Sequence, residues 1–295
     1  MKLHKTTSIA LQGMLLLGML GACQNEDAIT PSETANISAD HDNSKIAAGE
    51  IKLVDDGDNK LLYKKTGRYV GKLSKVSEPN YYTEYSYADG PVEGDYWITS
   101  KRYSKSSNAL VKEIQYHVVN KKCIKKIDVT DNQNFNFNYD EAGRLKKISR
   151  EGTNTKIELS YIFNAGAGDE RLYKTTFSNN NGAYKEITYQ YSIWAANYSV
   201  DPKADKYPLN PVHLGLDRYL PIFSKFSDAL VQQITISPLP ASGQSEPYYK
   251  YTYAFDGSGY VTYRTEEYFP LGLGYQAGKQ SNFSPLKYTS WVPGL

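Results

Sequence analysis

The sequence predicts an all-β protein, a long antiparallel β-meander curled into a barrel-like sheet. All 27 tyrosines, 9 phenylalanines and 3 tryptophans lie from Tyr63 onward, so the folded region is expected to begin near there. Apolar and polar residues alternate in several runs, which turn-forming clusters separate at intervals of roughly 10 to 20 residues. These intervals predict about 13 strands, and a sheet that wide is expected to curl rather than stay flat.

The first 22 residues have the layout of an export signal. Lys2 and Lys5 precede an apolar stretch at residues 9–20, which is too short to cross a bilayer as a helix. Small residues then lead to Cys23. A signal peptide over residues 1–22 is therefore expected.

The segment Leu20-Gly21-Ala22-Cys23 resembles the bacterial lipobox at all four positions. The resemblance implies that the Cys23 thiol carries a lipid such as palmitate, which would anchor the mature protein to a membrane. Cys123 would then be the only other thiol, so no internal disulfide is expected. Cys123 itself could be a reactive thiol beside lysines or a small residue within the sheet.

Residues 23–50 are predicted to form a disordered acidic tether. The segment has no aromatic residue, and six carboxylates face Lys45 alone, so it cannot bury enough apolar surface to fold. Its acidic start at residues 24–27 is similar to sequences that direct Bacteroidota lipoproteins to the cell surface. An outer-membrane lipoprotein is expected, on the surface rather than on the periplasmic face.

Residues 51–295 are predicted to form a single β-meander domain. Leu159 and Tyr161 alternate with Glu158 and Ser160, which is typical of a strand with one face on a core and one in water. Prolines interrupt this pattern over residues 195–228, where an irregular loop with a short helix or a plug is expected. The aromatic residues of the segment 270–295 predict that it packs on the body.

Two turns share a pattern. Tyr139 and Asp140 are followed by Gly143, and Phe255 and Asp256 are followed by Gly259. The aspartate can accept turn amides, and the glycine supplies the positive φ of a bulged hairpin.

This pattern is similar to the tyrosine-aspartate repeat of bacterial surface proteins. Together with the lipobox and the tyrosine-rich strands, it resembles an uncharacterised Bacteroidota lipoprotein family with a porin-like β fold. The resemblance implies a curled antiparallel sheet and brings no known active site. It describes shape only, because lipid-facing strands need a continuous apolar band, whereas these strands mix Lys, Glu and Thr.

The sequence indicates no catalytic, metal or cofactor site. His117 and His213 have no partner at ligand spacing. Asp55, Asp56 and Asp58 lack the later glutamate of a calcium loop, which favours a polar turn. Neighbouring strand residues point to opposite faces, so Glu266 and Glu267 cannot act together as a catalytic pair.

A candidate binding surface consists of tyrosines that occur in adjacent or alternating positions. Their rings would lie on both faces of their strands, where one face can offer a flat ring with a polar tip to a ligand. Cross-strand aromatic ladders within the sheet are the alternative. The candidates are Tyr81, Tyr82, Tyr85, Tyr87, Tyr248 and Tyr249.

These observations favour a non-catalytic binding or interaction module of the envelope, with a glycan or an envelope protein as partner. A nucleic-acid partner is excluded by the export signal and by the small positive charge. Two alternatives remain. A hydrolase of envelope or host polymers would need clustered carboxylates with raised pKa values in a cleft, and a pilus-type structural subunit would need an open sheet edge.

Overall fold

The structure of the protein, a computed structural model, describes residues 50–164, 169–191, 212–227, 229–240, 246–272 and 278–291. The described residues belong to one unit, Ile46–Leu295. The predicted signal peptide, Cys23, the tether before Glu50 and the loop at 195–211 lie outside the described residues.

Sixteen strands make up nearly all of the described secondary structure. The only described helix is the 3-10 turn Val212–Leu214. No described helix is long and apolar enough to cross a membrane. The strands are β1 Glu50–Asp56, β2 Asn59–Tyr63, β3 Leu73–Ser77, β4 Tyr81–Asp89, β5 Asp95–Ser104, β6 Leu110–Val119, β7 Lys122–Asp128, β8 Gln133–Tyr139, β9 Leu145–Arg150, β10 Lys156–Asn164, β11 Asp169–Asn179, β12 Gly182–Tyr191, β13 Val231–Pro238, β14 Tyr248–Phe255, β15 Val261–Phe269 and β16 Gln280–Trp291.

The sixteen strands form a closed antiparallel barrel in chain order. The barrel closes where β1 pairs with β16, for example at Leu53 opposite Tyr288. The predicted barrel-like sheet is confirmed, although the expected number of about 13 strands was too low. The described part of the segment 270–295 packs on the body as predicted, because β16 is the closing strand.

Apolar side chains form the core of the barrel, and charged side chains cover its outer wall. On β10, Leu159 is buried in the core, whereas the neighbouring Glu158 and Ser160 face outward. Ion pairs cross the outer wall between adjacent strands, including Lys75–Glu84, Lys101–Glu113 and Lys174–Glu186 at 3.3, 3.5 and 3.1 Å. A lipid-facing barrel carries an apolar band on its outside, so this wall is suited to water.

One chain segment fills part of the lumen. We call residues 212–227 and 229–230 the lumen segment. Its Ile222 carbonyl accepts the Cys123 amide of β7 at 2.7 Å, and its Phe226 carbonyl accepts the Leu172 amide of β11 at 2.8 Å. Phe223 packs on Tyr116 of β6. Contacts with strands around the barrel place this segment inside it, which confirms the predicted short helix and the plug.

The two ends of the barrel differ. We call the end where Glu50 pairs with Trp291 the terminal end, and the opposite end, where β1 turns into β2, the distal end. Six half-buried tyrosines point inward near the terminal end. Each donates its hydroxyl to a backbone carbonyl of the preceding strand at 2.5–2.9 Å: Tyr63 to Leu53, Tyr87 to Leu73, Tyr139 to Cys123, Tyr161 to Leu145, Tyr191 to Leu172 and Tyr253 to Val231.

This repeated bond explains much of the tyrosine content. The ring fills the lumen with apolar surface, and the hydroxyl satisfies a carbonyl of the neighbouring strand. A cation lies over several of the rings, for example Lys122 over Tyr139 and Arg144 over Tyr161.

The two turns with a shared pattern adopt the same geometry. The Asp140 carboxylate accepts the Arg144 amide at 2.9 Å, and the Asp256 carboxylate accepts the Ser258 and Tyr260 amides at 2.9 and 3.0 Å. Gly143 and Gly259 have φ of 80° and 85°. The predicted capping aspartate and positive-φ glycine are therefore present in both turns.

Candidate binding site in the barrel lumen

The lumen segment and the inner wall together build a charged cluster at the distal end. The Asp56 carboxylate is fully buried at the end of β1 and contacts Arg264 of β15 at 2.9 Å and Arg218 of the lumen segment at 3.1 Å. The Tyr219 hydroxyl donates to the same carboxylate at 2.9 Å and accepts the Asn59 amide at 3.0 Å. We call these five residues the distal cluster.

The distal cluster was not expected from the sequence. Asp56 was interpreted as part of a polar turn, but its carboxylate points into the barrel and neutralises two guanidinium groups. Burial of a carboxylate is tolerated when cations and hydrogen-bond donors satisfy it. Two charged partners and a phenol provide this here.

A second anchor joins the lumen segment to the wall. The Tyr85 hydroxyl donates to the Asp217 carboxylate at 2.6 Å, and the Tyr219 amide donates to its other oxygen at 3.0 Å. Burial raises the pKa of the Asp217 carboxyl, although both hydrogen bonds oppose the rise. Asp217 and Arg218 are neighbours in sequence, so these contacts also fix the backbone that carries Arg218.

Opposite charges also pair along the distal inner wall. Arg102 of β5 contacts Glu78 at 2.7 Å and lies over the Tyr81 ring at 4.3 Å. Lys112 of β6 contacts Asp128 at 2.7 Å. The side chains of Lys112, Arg218, Glu78 and Arg102 remain 26%, 27%, 30% and 39% exposed. Water therefore reaches the distal lumen, where charged groups are available to a ligand.

Aromatic rings lie on another part of the inner wall. Tyr249 of β14 stacks on Tyr268 of β15 with ring centroids 4.6 Å apart. The His213 ring of the lumen segment lies 4.9 Å from Tyr249. Burial, together with the nearby Lys185, lowers the pKa of His213 to about 4, so the ring is neutral at pH 7. Half-buried flat rings next to charged groups can bind a ligand that has both apolar and polar faces.

The structure separates the six predicted tyrosines into three settings. Tyr81 and Tyr249 face the distal lumen, while Tyr85 and Tyr87 point into the interior, where their hydroxyls bond Asp217 and the Leu73 carbonyl. The other two lie on the outer wall. Tyr82 stacks on Tyr103 at 5.1 Å, and Tyr248 stacks on Phe269 at 4.5 Å.

Rings therefore lie on both faces of β4 and β14, as predicted. The six do not form one surface, because the barrel wall separates the inward rings from the outward ones. Cross-strand stacking, the alternative interpretation, occurs at Tyr82, Tyr248 and Tyr249. The predicted role in binding stays a prediction.

The contacts of Cys123 and His117, the other residues considered for reactivity or metal binding, are structural. Cys123 is buried, and burial raises the pKa of its thiol to about 12, which favours the inert interpretation. His117 lies on the outer wall, stacked on Trp97, with Nε2 2.6 Å from the Asp95 carboxylate. In the described residues no group of three His, Cys, Asp or Glu side chains could hold a metal ion.

Comparisons with known proteins give only distant similarity. No protein-family model matches the chain, and no curated protein matches it. Among solved structures, a porin-like protein from Bacteroides uniformis ATCC 8492 is 16% identical, with a TM-score of 0.38 over 81% of this chain and 95% of that chain. A porin-like protein from Bacteroides vulgatus ATCC 8482 is 14% identical, with a TM-score of 0.25 over 82% and 87%. Similarity at this level assigns neither a ligand nor an activity to this chain.

Proposed function

We propose that the protein is a non-catalytic lipoprotein of the bacterial envelope that binds a glycan in the distal lumen. The proposal rests on one observation: the lumen segment places the partly exposed side chain of Arg218 beside Asp56. The stacked rings of Tyr249 and Tyr268 lie on the same inner wall. A glycan is bound by stacking of its sugar rings on aromatic side chains and by hydrogen bonds from its hydroxyl groups to fixed polar groups, and the inner wall offers both.

The position of the chain ends supports a role at a membrane surface. Glu50, where the predicted tether ends, lies at the terminal end of the barrel. A lipid on Cys23 would hold the barrel at the membrane through the predicted disordered tether, which enters the barrel at Glu50. In an outer-membrane lipoprotein exposed on the cell surface, such a tether would leave the barrel free to meet external ligands.

Binding is tested with the soluble body, residues 46–295, on a glycan array and then by calorimetry with the best ligand. Tyr249→Ala removes a ring from the distal lumen and should weaken binding by about tenfold, the loss of one good stacking contact. Tyr263→Ala removes an exposed ring from the outer wall and serves as the matched control. An array without a ligand, or equal losses in both variants, would refute the proposed site.

The anchor is tested separately by labelling cells with palmitate. The wild-type protein should incorporate the label, and Cys23→Ser should not. Protease added to intact cells should degrade the wild-type protein if it is on the surface. Absence of label in the wild type would exclude the lipid anchor, and protection from protease would place the protein in the periplasm.

A hydrolase is a second candidate, and one observation favours it. Burial raises the pKa of Asp217, and a raised carboxyl pKa is typical of a general acid. Both oxygens of Asp217 are, however, engaged by Tyr85 and Tyr219. Release of reducing ends from an array-positive glycan, abolished by Asp217→Asn, would establish this alternative. A pilus-type subunit would be favoured by an open sheet edge or by a displaceable terminal strand; every described strand has a neighbour on both sides, so the described barrel has no open edge.

A further inference from the structure

We infer that the ligand of the distal lumen is acidic, and that Lys126 and Arg150 bind its carboxylate or sulfate on either side of the Phe135 ring. This inference rests on the proposed function and deepens it, because it names the chemical class of the glycan. It depends on where the backbone places these three residues and on which cations of the lumen have a counter-ion.

The three residues are cross-strand neighbours on the inner wall. Lys126 of β7 lies opposite Tyr116 of β6 and Phe135 of β8, and Phe135 lies opposite Arg150 of β9. Residues directly opposite in antiparallel strands share a face of the sheet. Tyr116 is buried against Phe223 of the lumen segment, so this face is the inner one.

The ammonium group of Lys126 has an aromatic partner but no carboxylate. It lies 4.2 Å from the centroid of the Phe135 ring. Within the described part of the chain, neither Lys126 nor Arg150 forms an ion pair. Four other cations of the distal lumen do: Arg218 and Arg264 contact Asp56, Arg102 contacts Glu78, and Lys112 contacts Asp128 and Asp131. Lys185 of β12 resembles Lys126, because its ammonium group lies 3.8 Å from the centroid of the Phe177 ring.

A half-buried cation without a counter-ion is destabilising. Burial lowers the pKa of Lys126, the nearby Lys112 adds to this effect, and Asp128 opposes it. Asp128 is already engaged by Lys112 at 2.7 Å. An acidic group on a ligand would complete the set of charges, and the ring of Phe135, which lies between Lys126 and Arg150 in the strand register, would support an adjacent sugar ring.

The experiment compares probes that differ only in charge. Calorimetry is done with hexagalacturonate, which carries carboxylates, and with its fully methyl-esterified form, which is neutral. A chondroitin sulfate hexasaccharide, compared with the unsulfated chondroitin hexasaccharide that keeps the carboxylates, shows whether sulfate strengthens binding. The acidic probe should bind at least about tenfold more tightly than the ester, which is the expected strength of one charge-assisted hydrogen bond.

Two neighbouring lysines give the matched variants. Lys126→Met should abolish the preference for the acidic probe while binding of the ester persists. Lys125→Met changes the adjacent residue on the outer wall, which pairs with Glu151 at 3.0 Å, and should leave the preference intact. Urea unfolding of both variants shows that they are folded.

The outcomes separate the two proposals. Equal binding of acid and ester, or a preference that survives in Lys126→Met, would overturn the acidic subsite while the glycan site stands. If no saccharide binds, the glycan site falls. In that case a sulfate titration followed by NMR of the ¹⁵N-labelled lysine ammonium groups decides on the subsite alone. A saturable shift at Lys126 supports it, and no shift refutes it.

Discussion

The Tyr85 hydroxyl donates a 2.6 Å hydrogen bond to the buried carboxylate of Asp217, which lies 132 residues later in the chain. This bond ties the lumen segment to β4 at the point where Arg218 enters the distal cluster. Burial of the Asp217 carboxyl is costly unless donors satisfy it. Tyr85→Phe removes one of its two donors, so we expect a loss of about 1–3 kcal/mol in the free energy of unfolding.

Urea unfolding measures this loss, and Tyr82→Phe provides the control. Tyr82 lies on the same strand, and its hydroxyl bonds the exposed Asn108 on the outer wall. Its loss should cost clearly less because water replaces the bond. Equal effects of the two substitutions would show that the Tyr85–Asp217 bond does not anchor the segment.

Asp56 and its neighbour Asp55 give a sharper comparison of buried and exposed charge. Asp56→Asn leaves Arg218 and Arg264 without a common counter-ion, so we expect a loss of about 3–5 kcal/mol. Asp55 contacts Lys60 at 3.0 Å and Lys287 at 3.5 Å, and both lysines are largely exposed. Asp55→Asn should cost less than about 1 kcal/mol. Chemical unfolding of both variants checks the difference, and similar losses would contradict the assigned role of Asp56.

Local periodicity predicted the class of fold but not its full extent. The alternation of Leu159 and Tyr161 on β10 extends over nine residues and is easily recognised. β2 and β3 have five residues each, which is too short for a clear alternation, so the predicted number of strands was low. Closure depends on pairs such as Leu53 with Tyr288, and a local pattern carries no information about such distant partners.

The site was harder to predict than the fold for the same reason. The Asp56–Arg264 contact joins residues 208 positions apart. Asp56 is the last residue of β1 and precedes a turn glycine, so its sequence context indicates a solvated turn. The spacing of Leu53 and Asp56 gives one indication. Residues three positions apart point to opposite faces of a regular strand, so both side chains point inward only if a bulge lies between them. The register shift between Leu53 and Asp55 supplies that bulge.

The tyrosine–carbonyl bonds predict independent, additive contributions to stability. Tyr87→Phe and Tyr161→Phe each remove one hydroxyl, from β4 and β10, and each should cost about 1 kcal/mol. The sites are far apart on the barrel, so the double variant should lose the sum. Tyr173→Phe, at an exposed position on the outer wall, should have almost no effect. Denaturant midpoints test this, and a negligible loss in the double variant would contradict a stabilising role.

His213 predicts a specific dependence of stability on pH. Burial lowers its pKa from 6.5 to about 4, and its Nε2 atom has no hydrogen-bond partner within the described residues. Below pH 6.5 the unfolded chain binds a proton at this histidine and the folded protein does not. The stability is therefore complete above pH 6.5 and falls as the pH decreases to about 4, by up to about 3 kcal/mol. His213→Gln removes this proton uptake, so the variant should lose less stability than the wild type between pH 7.5 and 4. Urea midpoints over this range measure the difference, and parallel curves for the two proteins would show that His213 is protonated in the folded state.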